Sequence, residues 1–271
     1  MIEDNLFTAI KAALEVGEEI LKIYNRDFTV DYKTDESPLT EADIASNDII
    51  NSYLSKTEIP IISEENRQLD YSERKEWNTC WIVDPLDGTK EFIKRNDEFT
   101  VNIALVEEGV TKFGVIYAPA LKNLYYTDSR KATAYKLQID STINLQEKLF
   151  REQDKMCLSG KTKDVLRVIG SRSHMNNQTI QFVNKIKSKY KDVEIISKGS
   201  SLKFCILAEG LADIYPRFGP TMEWDTAAGQ AICEAVGLRV IDISTKSQMV
   251  YNRRNLLNNY FYVATKDWKF N

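Results

Sequence analysis

The stretch from Thr100 to Leu137 constrains the fold more than any other, because it carries four strand patterns in succession. The four read TVNIALVEEG, KFGVIYAP, NLYYTD and ATAYKL, and each either alternates in polarity or is rich in β-branched and aromatic residues. Runs of this kind, separated only by short turns, are typical of strands that pair with their sequence neighbours. The stretch therefore predicts an antiparallel meander.

The chain before this meander predicts two helices and two buried strands. Apolar residues recur at helical spacing between Ile10 and Tyr24, and a second helix is expected after Pro38, within LTEADIASNDIINSYL. The runs IPIISEE and WIVD are short and apolar, and each ends in acids. Buried strands have this pattern, so both runs are expected to bring carboxylates to a sheet edge.

The chain after the meander alternates strand and helix patterns. The polar stretch INLQEKLFREQDKM is typical of a surface connection, so we place a subdomain boundary near Lys155 and predict two subdomains, residues 1–155 and 156–271. The first is expected to be α+β and the second α/β. Together they predict a layered sandwich of alternating helices and sheets.

The composition argues against nucleic-acid binding, secretion and insertion into a membrane. With 36 Lys+Arg against 40 Asp+Glu the net charge is −4, so the chain has no general positive field for a nucleic-acid polymer. The N-terminal segment is broken by acids, unlike a signal peptide, and no apolar run approaches the roughly 18 residues that span a bilayer. The four cysteines form no CxxC pair. We expect a cytoplasmic protein with reduced, mostly buried thiols and at most a peripheral membrane association.

Three acidic segments offer ligands for a metal ion. Any single acid in them could instead serve a turn or cap a helix. Together they supply the carboxylate oxygens that hard cations such as Mg²⁺ require, while water and a substrate phosphate complete the coordination. The acids are Glu64 and Glu65 in SEE, Asp84 and Asp87 in DPLDGT, and Glu223 and Asp225 in EWDTAAG.

The DPLDGT turn suits such a site. Pro85 stiffens the chain reversal, so both acids and the Leu86 carbonyl can point at one small volume. Gly88 allows a close approach of the backbone to a ligand, and Thr89 begins an expected helix whose free N–H groups favour a phosphate. The stretch lacks the ligand order of an EF-hand loop and the DxD pair of phosphatases with an aspartyl nucleophile.

Covalent hydrolase chemistry has little support in this sequence. There is no GxSxG motif, and His174 is the only histidine. If the chain is a hydrolase, metal ions are expected to activate the attacking water.

Several long motifs resemble one known family. The segments PLTEADIASNDII, ISEE, WIVDPLDGTKEFI and EWDTAAGQAICEAVG are similar, in the same order, to the motifs of the Mg²⁺-dependent, lithium-sensitive phosphatases typified by inositol monophosphatase. The string DGTKEFIKRNDEFTVNIALVEEG, with GSSLKF and YPRFGPTMEWDTAAG, most closely resembles the bacterial CysQ type, the 3'(2'),5'-bisphosphate nucleotidases. The resemblance covers nearly the whole chain and implies two or three Mg²⁺ ions and a small nucleotide substrate.

The resemblance also implies a set of metal ligands. One Mg²⁺ would be held by Glu65, Asp84 and the Leu86 carbonyl. A second would be held by Asp84, Asp87 and Asp225, so that Asp84 bridges the two ions.

The same resemblance implies roles around the reacting phosphate. Gly88 and Thr89 would lie against it. Asp43 would accept a hydrogen bond from the Thr89 hydroxyl, which orients the attacking water; such positioning is the main source of acceleration in phosphoryl transfer. Glu64 would either support the site from behind the ligands or lie on the surface.

The second half of the chain points to the substrate. Inositol monophosphatases typically carry Tyr-x-Glu before the WD motif, whereas this chain reads YPR and ends the triplet in Arg217. A guanidinium matches phosphate oxygens rather than sugar hydroxyls, although a plain strand-end charge is the competing interpretation. Ser200, Ser201 and Lys203 could receive a second phosphate or the ribose, or one serine could simply cap a helix. His174 would lie near the nucleotide by resemblance.

These observations favour Mg²⁺-dependent hydrolysis of 3'-phosphoadenosine 5'-phosphate to AMP and phosphate. The alternative on the same scaffold is a phosphatase for inositol or sugar monophosphates. A non-catalytic metal-binding or regulatory protein is a third hypothesis, and the presence of both Asp43 and Thr89 speaks against it.

Overall fold

The computed structural model describes residues 2–34, 36–128, 130, 132–140, 144–158, 165–171, 176–187 and 190–268. After a short antiparallel hairpin comes a central sheet of six strands, adjacent in the order in which they occur in the chain. The hairpin is β1 (Val30–Tyr32) and β2 (Pro38–Thr40), and the sheet is β3 (Ile61–Ser63), β4 (Thr79–Asp87), β5 (Thr100–Glu107), β6 (Val110–Ala118), β7 (Asn123–Thr127) and β8 (Ala134–Gln138). β3 and β4 are parallel, and every later pair is antiparallel. The predicted meander is confirmed as β5 to β8.

Two long helices cover one face of this sheet, and both were predicted from the sequence. They are α1 (Ile2–Tyr24) and α2 (Glu41–Leu54). α1 buries an apolar stripe that includes Leu6, Ile10 and Ile20, as its periodicity requires. A Cβ at Gly17 would lie only 2.1 Å from Cε1 of Tyr117 on β6, so a glycine is needed where the helix crosses the sheet.

The start of α2 is set by a capping box. Thr40 Oγ1 accepts a hydrogen bond from the backbone N–H of Ala42 at 3.2 Å, and Asp43 Oδ2 accepts one from the backbone N–H of Thr40 at 2.7 Å. The Thr40 hydroxyl also lies 2.7 Å from the same Asp43 oxygen. These local bonds satisfy the free donors of the first helical turn and hold the Asp43 carboxylate in one orientation.

The other face of the central sheet packs on a second helical layer. Its helices are α7 (Leu202–Ala208) and α8 (Ala227–Ala235). A Cβ at Gly114 on β6 would lie 2.4 Å from the Ala228 carbonyl oxygen, so α8 lies directly against the strand. Beyond these helices is an antiparallel sheet in the order β11 (Tyr215–Arg217), β13 (Phe261–Thr265) and β12 (Leu238–Asp242). The layers therefore alternate helix, sheet, helix and sheet.

The remaining elements are smaller. β9 (Val165–Ser171) and β10 (Asp192–Lys198) form a parallel pair, with α6 (Asn177–Lys187) between them in the chain. The short helices are α3 (Tyr71–Arg74), α4 (Thr89–Ile93) and α5 (Leu145–Lys148), and two 3-10 turns span Ser55–Thr57 and Glu152–Asp154.

The expected layered α+β sandwich is confirmed by this arrangement. One core cluster combines Ile82 and Ile116 of the central sheet with Phe204, Ile232 and Phe261 of the second half. The division at residue 155 therefore does not separate two hydrophobic cores, and the two subdomains stay a prediction about the chain's organisation.

The cysteine side chains are mostly buried, as predicted from the sequence. Cys80, Cys205 and Cys233 are buried, Cys157 is exposed, and all four are free.

Among the described helices, none is both long enough and apolar enough to cross a membrane.

Candidate active site

The site forms where strand β4 ends, and a bulge brings its two aspartates to one side. Asp84 pairs with Asn102 and Asp87 with Thr100, so three steps along β4 face two steps along β5. In a regular strand, residues three apart point to opposite faces, but the extra residue re-aims one of them. Both carboxylates of DPLD can therefore serve one site.

A buried cluster of carboxylates occupies this site. Oxygen atoms of Glu64, Asp84 and Asp225 all lie within 4.8 Å of one another. Burial raises the pKa of Asp84 well above its usual range, and the nearby charges of Glu64, Asp87 and Asp225 raise it further. Burial also raises the pKa of Asp225 to about 7, with Asp87 and Glu64 as the next causes. Such a set of oxygens, crowded and short of positive charge, fits a hard divalent cation such as Mg²⁺.

The carboxylate cluster contains Glu64, whereas Glu65 was expected to be the metal ligand, and that role of Glu65 stays a prediction. Glu64, whose backbone N–H donates to the Val83 carbonyl of β4, contributes the carboxylate, and Glu65 is not part of the group. Both glutamates bond to Lys33, and only the Glu64 carboxylate also lies within reach of Asp84 and Asp225.

Lys33 is a cation that the sequence analysis missed. Its Nζ lies 2.9 Å from Glu64 Oε1 and 2.5 Å from Glu65 Oε1. Burial acts to lower the pKa of Lys33, but the two carboxylates more than offset this and the pKa is raised overall. Lys33 follows β1, and nothing in its spacing from the acidic motifs indicated this contact.

Thr89 and Asp43 meet as the resemblance implies. The Thr89 hydroxyl lies 3.1 Å from Asp43 Oδ1 and 3.3 Å from the Leu86 carbonyl oxygen. Asp43 is 2% exposed. Burial raises its pKa, while hydrogen bonds from Thr40 and Thr89 act in the opposite direction. Because Thr40 occupies Oδ2, Oδ1 is the Asp43 oxygen presented to Thr89.

Backbone conformation and packing both require a glycine at position 88, and its expected approach to a ligand stays a prediction. Its φ is +94°, in the left-handed region, at the start of α4. A Cβ there would lie 3.1 Å from the Glu98 carbonyl oxygen and 3.2 Å from Ser200 Cβ. The close approach that requires Gly88 is therefore made with the protein's own loops.

Gly199 and Ser200 form a turn that is held from the first half of the chain. Glu98 Oε2 accepts a hydrogen bond from the Gly199 N–H at 2.8 Å, and Glu98 Oε1 lies 3.2 Å from Lys198 Nζ. A Cβ at Gly199 would lie 2.7 Å from Glu91 Cγ, and Ser200 has a φ of +41°. Glu98 was not predicted, since an acid in a polar loop carries no such signal.

Ser201 does not lie on the wall of the cavity, although it was predicted to contact substrate. It is 2% exposed, and its Oγ lies 2.8 Å from Asp87 Oδ2 and 2.9 Å from the Asp225 carbonyl oxygen. Asn102 Nδ2 donates to both Ser201 Oγ and Asp87 Oδ2. The reason is the tight turn at Ser200, which directs the next side chain behind the carboxylates.

A cavity of about 290 Å³ lies above the carboxylates and collects most of the other predicted residues. The lining includes Asp84, Leu86, Asp87, Gly88, Thr89, Ser200, Lys203, Arg217 and Asp225, together with Ser37 and Pro38 of the hairpin. His174 lies outside the described residues.

Two cations line one wall of this cavity. Lys203 is 7% exposed, and burial lowers its pKa to about 8 although the charge of Asp87 opposes this. Arg217 Nη2 donates to the Pro220 carbonyl at 2.8 Å. The Nε of Arg217 is buried and has no hydrogen-bond partner among the described residues. The cavity thus has an anionic floor and a cationic wall.

Known proteins resemble this chain over almost its whole length. A sequence profile of the inositol monophosphatase family matches residues 1–269. The 3'(2'),5'-bisphosphate nucleotidase CysQ of Salmonella typhimurium is 41% identical over 256 residues, which are 93% of this chain and 96% of that protein. The CysQ nucleotidase of Buchnera aphidicola subsp. Acyrthosiphon pisum is 42% identical over 259 residues, or 93% and 90% of the two chains.

A solved structure agrees with these relatives. The crystal structure of CysQ from Bacteroides thetaiotaomicron, a bacterial member of the inositol monophosphatase family, has a TM-score of 0.86 and 45% sequence identity with this chain. The match covers 98% of each chain, so the two proteins share their layers, their order of elements and their length.

Proposed function

This chain belongs to the inositol monophosphatase family, and from that premise we propose that it is a 3'(2'),5'-bisphosphate nucleotidase that hydrolyses 3'-phosphoadenosine 5'-phosphate to AMP and phosphate. The observation that carries the proposal is the cavity itself. One wall presents Lys203 and Arg217, and the floor beneath it is a buried carboxylate cluster. A substrate with one phosphate to be cleaved and another to be held fits this division.

The carboxylates and one carbonyl would hold the metal. Glu64, Asp84 and the Leu86 carbonyl would hold one Mg²⁺ ion, and Asp84, Asp87 and Asp225 would hold a second. When bound, these ions supply positive charge to the phosphate and lower the pKa of the attacking water.

Thr89 and Asp43 orient the attacking water. Asp43 Oδ1 accepts a hydrogen bond from the Thr89 hydroxyl at 3.1 Å. The lone pairs of the Thr89 oxygen are then directed to accept a hydrogen bond from water. Asp43 cannot turn away, because its second oxygen is held by the capping box. A fixed water in line with the phosphorus atom lowers the entropic part of the barrier.

Arg217 and Lys203 hold the phosphate that is not cleaved. A guanidinium matches two phosphate oxygens, and Arg217 lines the cavity. Lys203 adds a second positive charge on the same wall. Without these cations, a bisphosphate would meet a cavity whose charged floor repels it.

The test is phosphate release from a substrate panel. 3'-Phosphoadenosine 5'-phosphate, inositol monophosphate and fructose 1,6-bisphosphate are compared at equal concentration, with Mg²⁺ and with excess chelator. We expect the bisphosphate nucleotide to have the largest kcat/KM and the chelator to abolish its hydrolysis. Preferred hydrolysis of inositol monophosphate would instead establish the monophosphatase alternative, and no release from any of the three would contradict an enzymatic role.

A further inference from the structure

Two side chains donate to one oxygen of Asp87, whereas Asp84 and Asp225 each accept a hydrogen bond from a backbone N–H. Asp87 Oδ2 lies 2.8 Å from Ser201 Oγ and 3.2 Å from Asn102 Nδ2. Both partners are buried, Ser201 at 2% and Asn102 at 1% exposure. Oδ1 of Asp87 accepts no hydrogen bond from a described residue. The two oxygens of one carboxylate are therefore assigned to different tasks.

The orientation of Asn102 is itself determined. Thr100 Oγ1 donates to Asn102 Oδ1 at 3.0 Å, so the amide oxygen is turned towards Thr100. The NH₂ group then points the other way, and its two hydrogens reach Asp87 Oδ2 and Ser201 Oγ. Thr100 and Asn102 are the residues of β5 that pair with the two ends of the β4 bulge. The bulge that carries Asp87 lies on β4, and Thr100 and Asn102, which orient Asp87, lie on the adjacent strand β5.

Ser201 extends this arrangement to the second half of the chain. Its Oγ also lies 2.9 Å from the backbone carbonyl oxygen of Asp225, beside the carboxylate that completes the acidic cluster. The single hydrogen of this hydroxyl is shared between the Asp87 carboxylate and the Asp225 carbonyl, so Ser201 lies between the two acidic segments. These two acids come from different halves of the chain and have to keep a constant separation to bind one ion.

We infer that Asn102 and Ser201 are positioning residues for metal binding: they anchor Oδ2 of Asp87, leave Oδ1 to the cation, and set the distance between Asp87 and Asp225. The inference rests on the proposed function, since it assigns Asp87 and Asp225 to a shared ion. Two neutral donors on one oxygen prevent rotation of the carboxylate and stabilise its charge. Ser201 acts through Asp87 and does not contact the substrate.

The test measures cation binding to the protein without substrate. The full chain is freed of metal with a chelator and titrated with Mn²⁺, followed by calorimetry and by the electron paramagnetic resonance signal of free Mn²⁺. The variants are Ser201→Ala and Asn102→Leu, which remove the donors; leucine keeps the branched shape of asparagine with a larger volume. Loss of such supporting hydrogen bonds typically costs about ten- to a hundredfold in metal affinity, so we expect one class of Mn²⁺ site to weaken by that factor.

Three controls separate positioning from general damage. Ser46→Ala removes a buried hydroxyl that has no hydrogen-bond partner among the described residues, so Mn²⁺ affinity should be unchanged. Ser201→Thr keeps the hydroxyl and should restore most of the affinity lost in Ser201→Ala. The double variant should lose less than the product of the single losses, because both donors serve the same oxygen.

Activity supplies a second readout with a distinct pattern. In Ser201→Ala the Mg²⁺ concentration for half-maximal rate should rise, whereas KM for the bisphosphate nucleotide at saturating Mg²⁺ should not. A raised KM with unchanged Mn²⁺ affinity would mean that Ser201 contacts substrate, and unchanged affinity in both variants would overturn the inference. Because Mn²⁺ binding is measured without substrate, the binding result can be interpreted even if the protein does not hydrolyse the bisphosphate nucleotide.

Discussion

The floor and the wall of the cavity are built in different ways. Within the floor, Asp84 and the nearby Asp43 and Thr89 are oriented by local backbone features, namely the bulge of β4 and the capping box of α2. The wall, comprising Ser200, Lys203 and Arg217, depends on contacts between distant segments, such as the bond from Gly199 to Glu98. The groups assigned to the reacting phosphate are therefore oriented mainly by local features, and those assigned to substrate selection by tertiary contacts.

This difference predicts two kinds of mutational effect. Changes in the floor should lower kcat and leave KM nearly constant, because they act on the reacting phosphate and water. Changes in the wall should alter which ester is hydrolysed, because they act on the phosphate that is only held.

The largest effect is expected for Asp84→Asn. This residue is assigned to both ions, and an amide cannot supply the charge that they need, so activity should be abolished. Phosphate release at saturating Mg²⁺ is the measurement. A variant with more than about a tenth of the wild-type kcat, a change below roughly 1.4 kcal/mol, would rule out the bridging role.

The same variant should be more stable without metal. Burial and the neighbouring carboxylates raise the pKa of Asp84, so above the unfolded-state pKa of an aspartate this group destabilises the metal-free fold. Asparagine does not ionise, so the variant should have a higher melting temperature in excess chelator at neutral pH. Glu223→Gln is the matched control. Burial also raises the pKa of Glu223, to about 7, but this carboxylate accepts hydrogen bonds from the backbone N–H groups of Asn252 and Arg253 and pairs with the Arg253 side chain at 3.0 Å. Breaking that pair should lower the melting temperature. Equal shifts in the two variants would contradict the view that only the floor is short of positive charge.

Thr89→Ala should have the next largest effect on activity. We expect kcat to fall on the order of a hundredfold and KM to change little, since the hydroxyl positions water and does not bind the substrate. Asp43→Asn should act through the same hydrogen bond. The double variant should then lose far less than the product of the single losses. Steady-state kinetics of the four proteins test this, and fully multiplicative losses would show that the two residues work separately.

Arg217→Glu probes the wall. The variant loses a charged hydrogen bond, worth on the order of 1.5 to 3 kcal/mol, and gains repulsion, so kcat/KM for the bisphosphate nucleotide should fall by at least ten- to a hundredfold. Inositol monophosphate has no second phosphate, and its hydrolysis should hold steady. The measurement is the ratio of the two kcat/KM values at fixed Mg²⁺ and ionic strength.

The control for this charge reversal is Arg239→Glu, on an exposed position of β12 outside the cavity lining. It should leave the ratio of the two substrates unchanged. An unchanged ratio in Arg217→Glu as well would mean that Arg217 is only a strand-end charge.

The smallest effect is expected for Glu98, which shapes the wall indirectly. Glu98→Gln keeps an acceptor for the Gly199 N–H but loses the ion pair with Lys198, whose side chain is 37% exposed. Such a solvent-screened pair contributes about 0–1 kcal/mol, so KM for the bisphosphate should rise no more than about fivefold. Glu98→Ala also leaves the Gly199 N–H without its acceptor and should raise KM further, with kcat nearly constant. A fall in kcat without a change in KM would mean that Glu98 acts on the reacting phosphate, like the residues of the floor.

The sequence by itself determined the elements whose signals are local. Periodicity of two predicted β5 to β8, periodicity of 3.6 predicted α1, and the DPLDGT turn placed Asp84 and Thr89 in the predicted site, to which the family resemblance added Asp43. These features follow from backbone geometry over a few residues, so a short stretch of sequence is enough to specify them.

Only the tertiary structure decided which neighbour of a pair faces the site. Glu64 rather than Glu65 joins the carboxylates, and Ser200 rather than Ser201 lines the cavity. At the end of a strand or in a tight turn, adjacent side chains point in different directions, and residue type does not reveal which one points inward. Lys33 and Asn102 reach the acids from other elements, so their contacts exist only once the hairpin and β5 have been placed by packing.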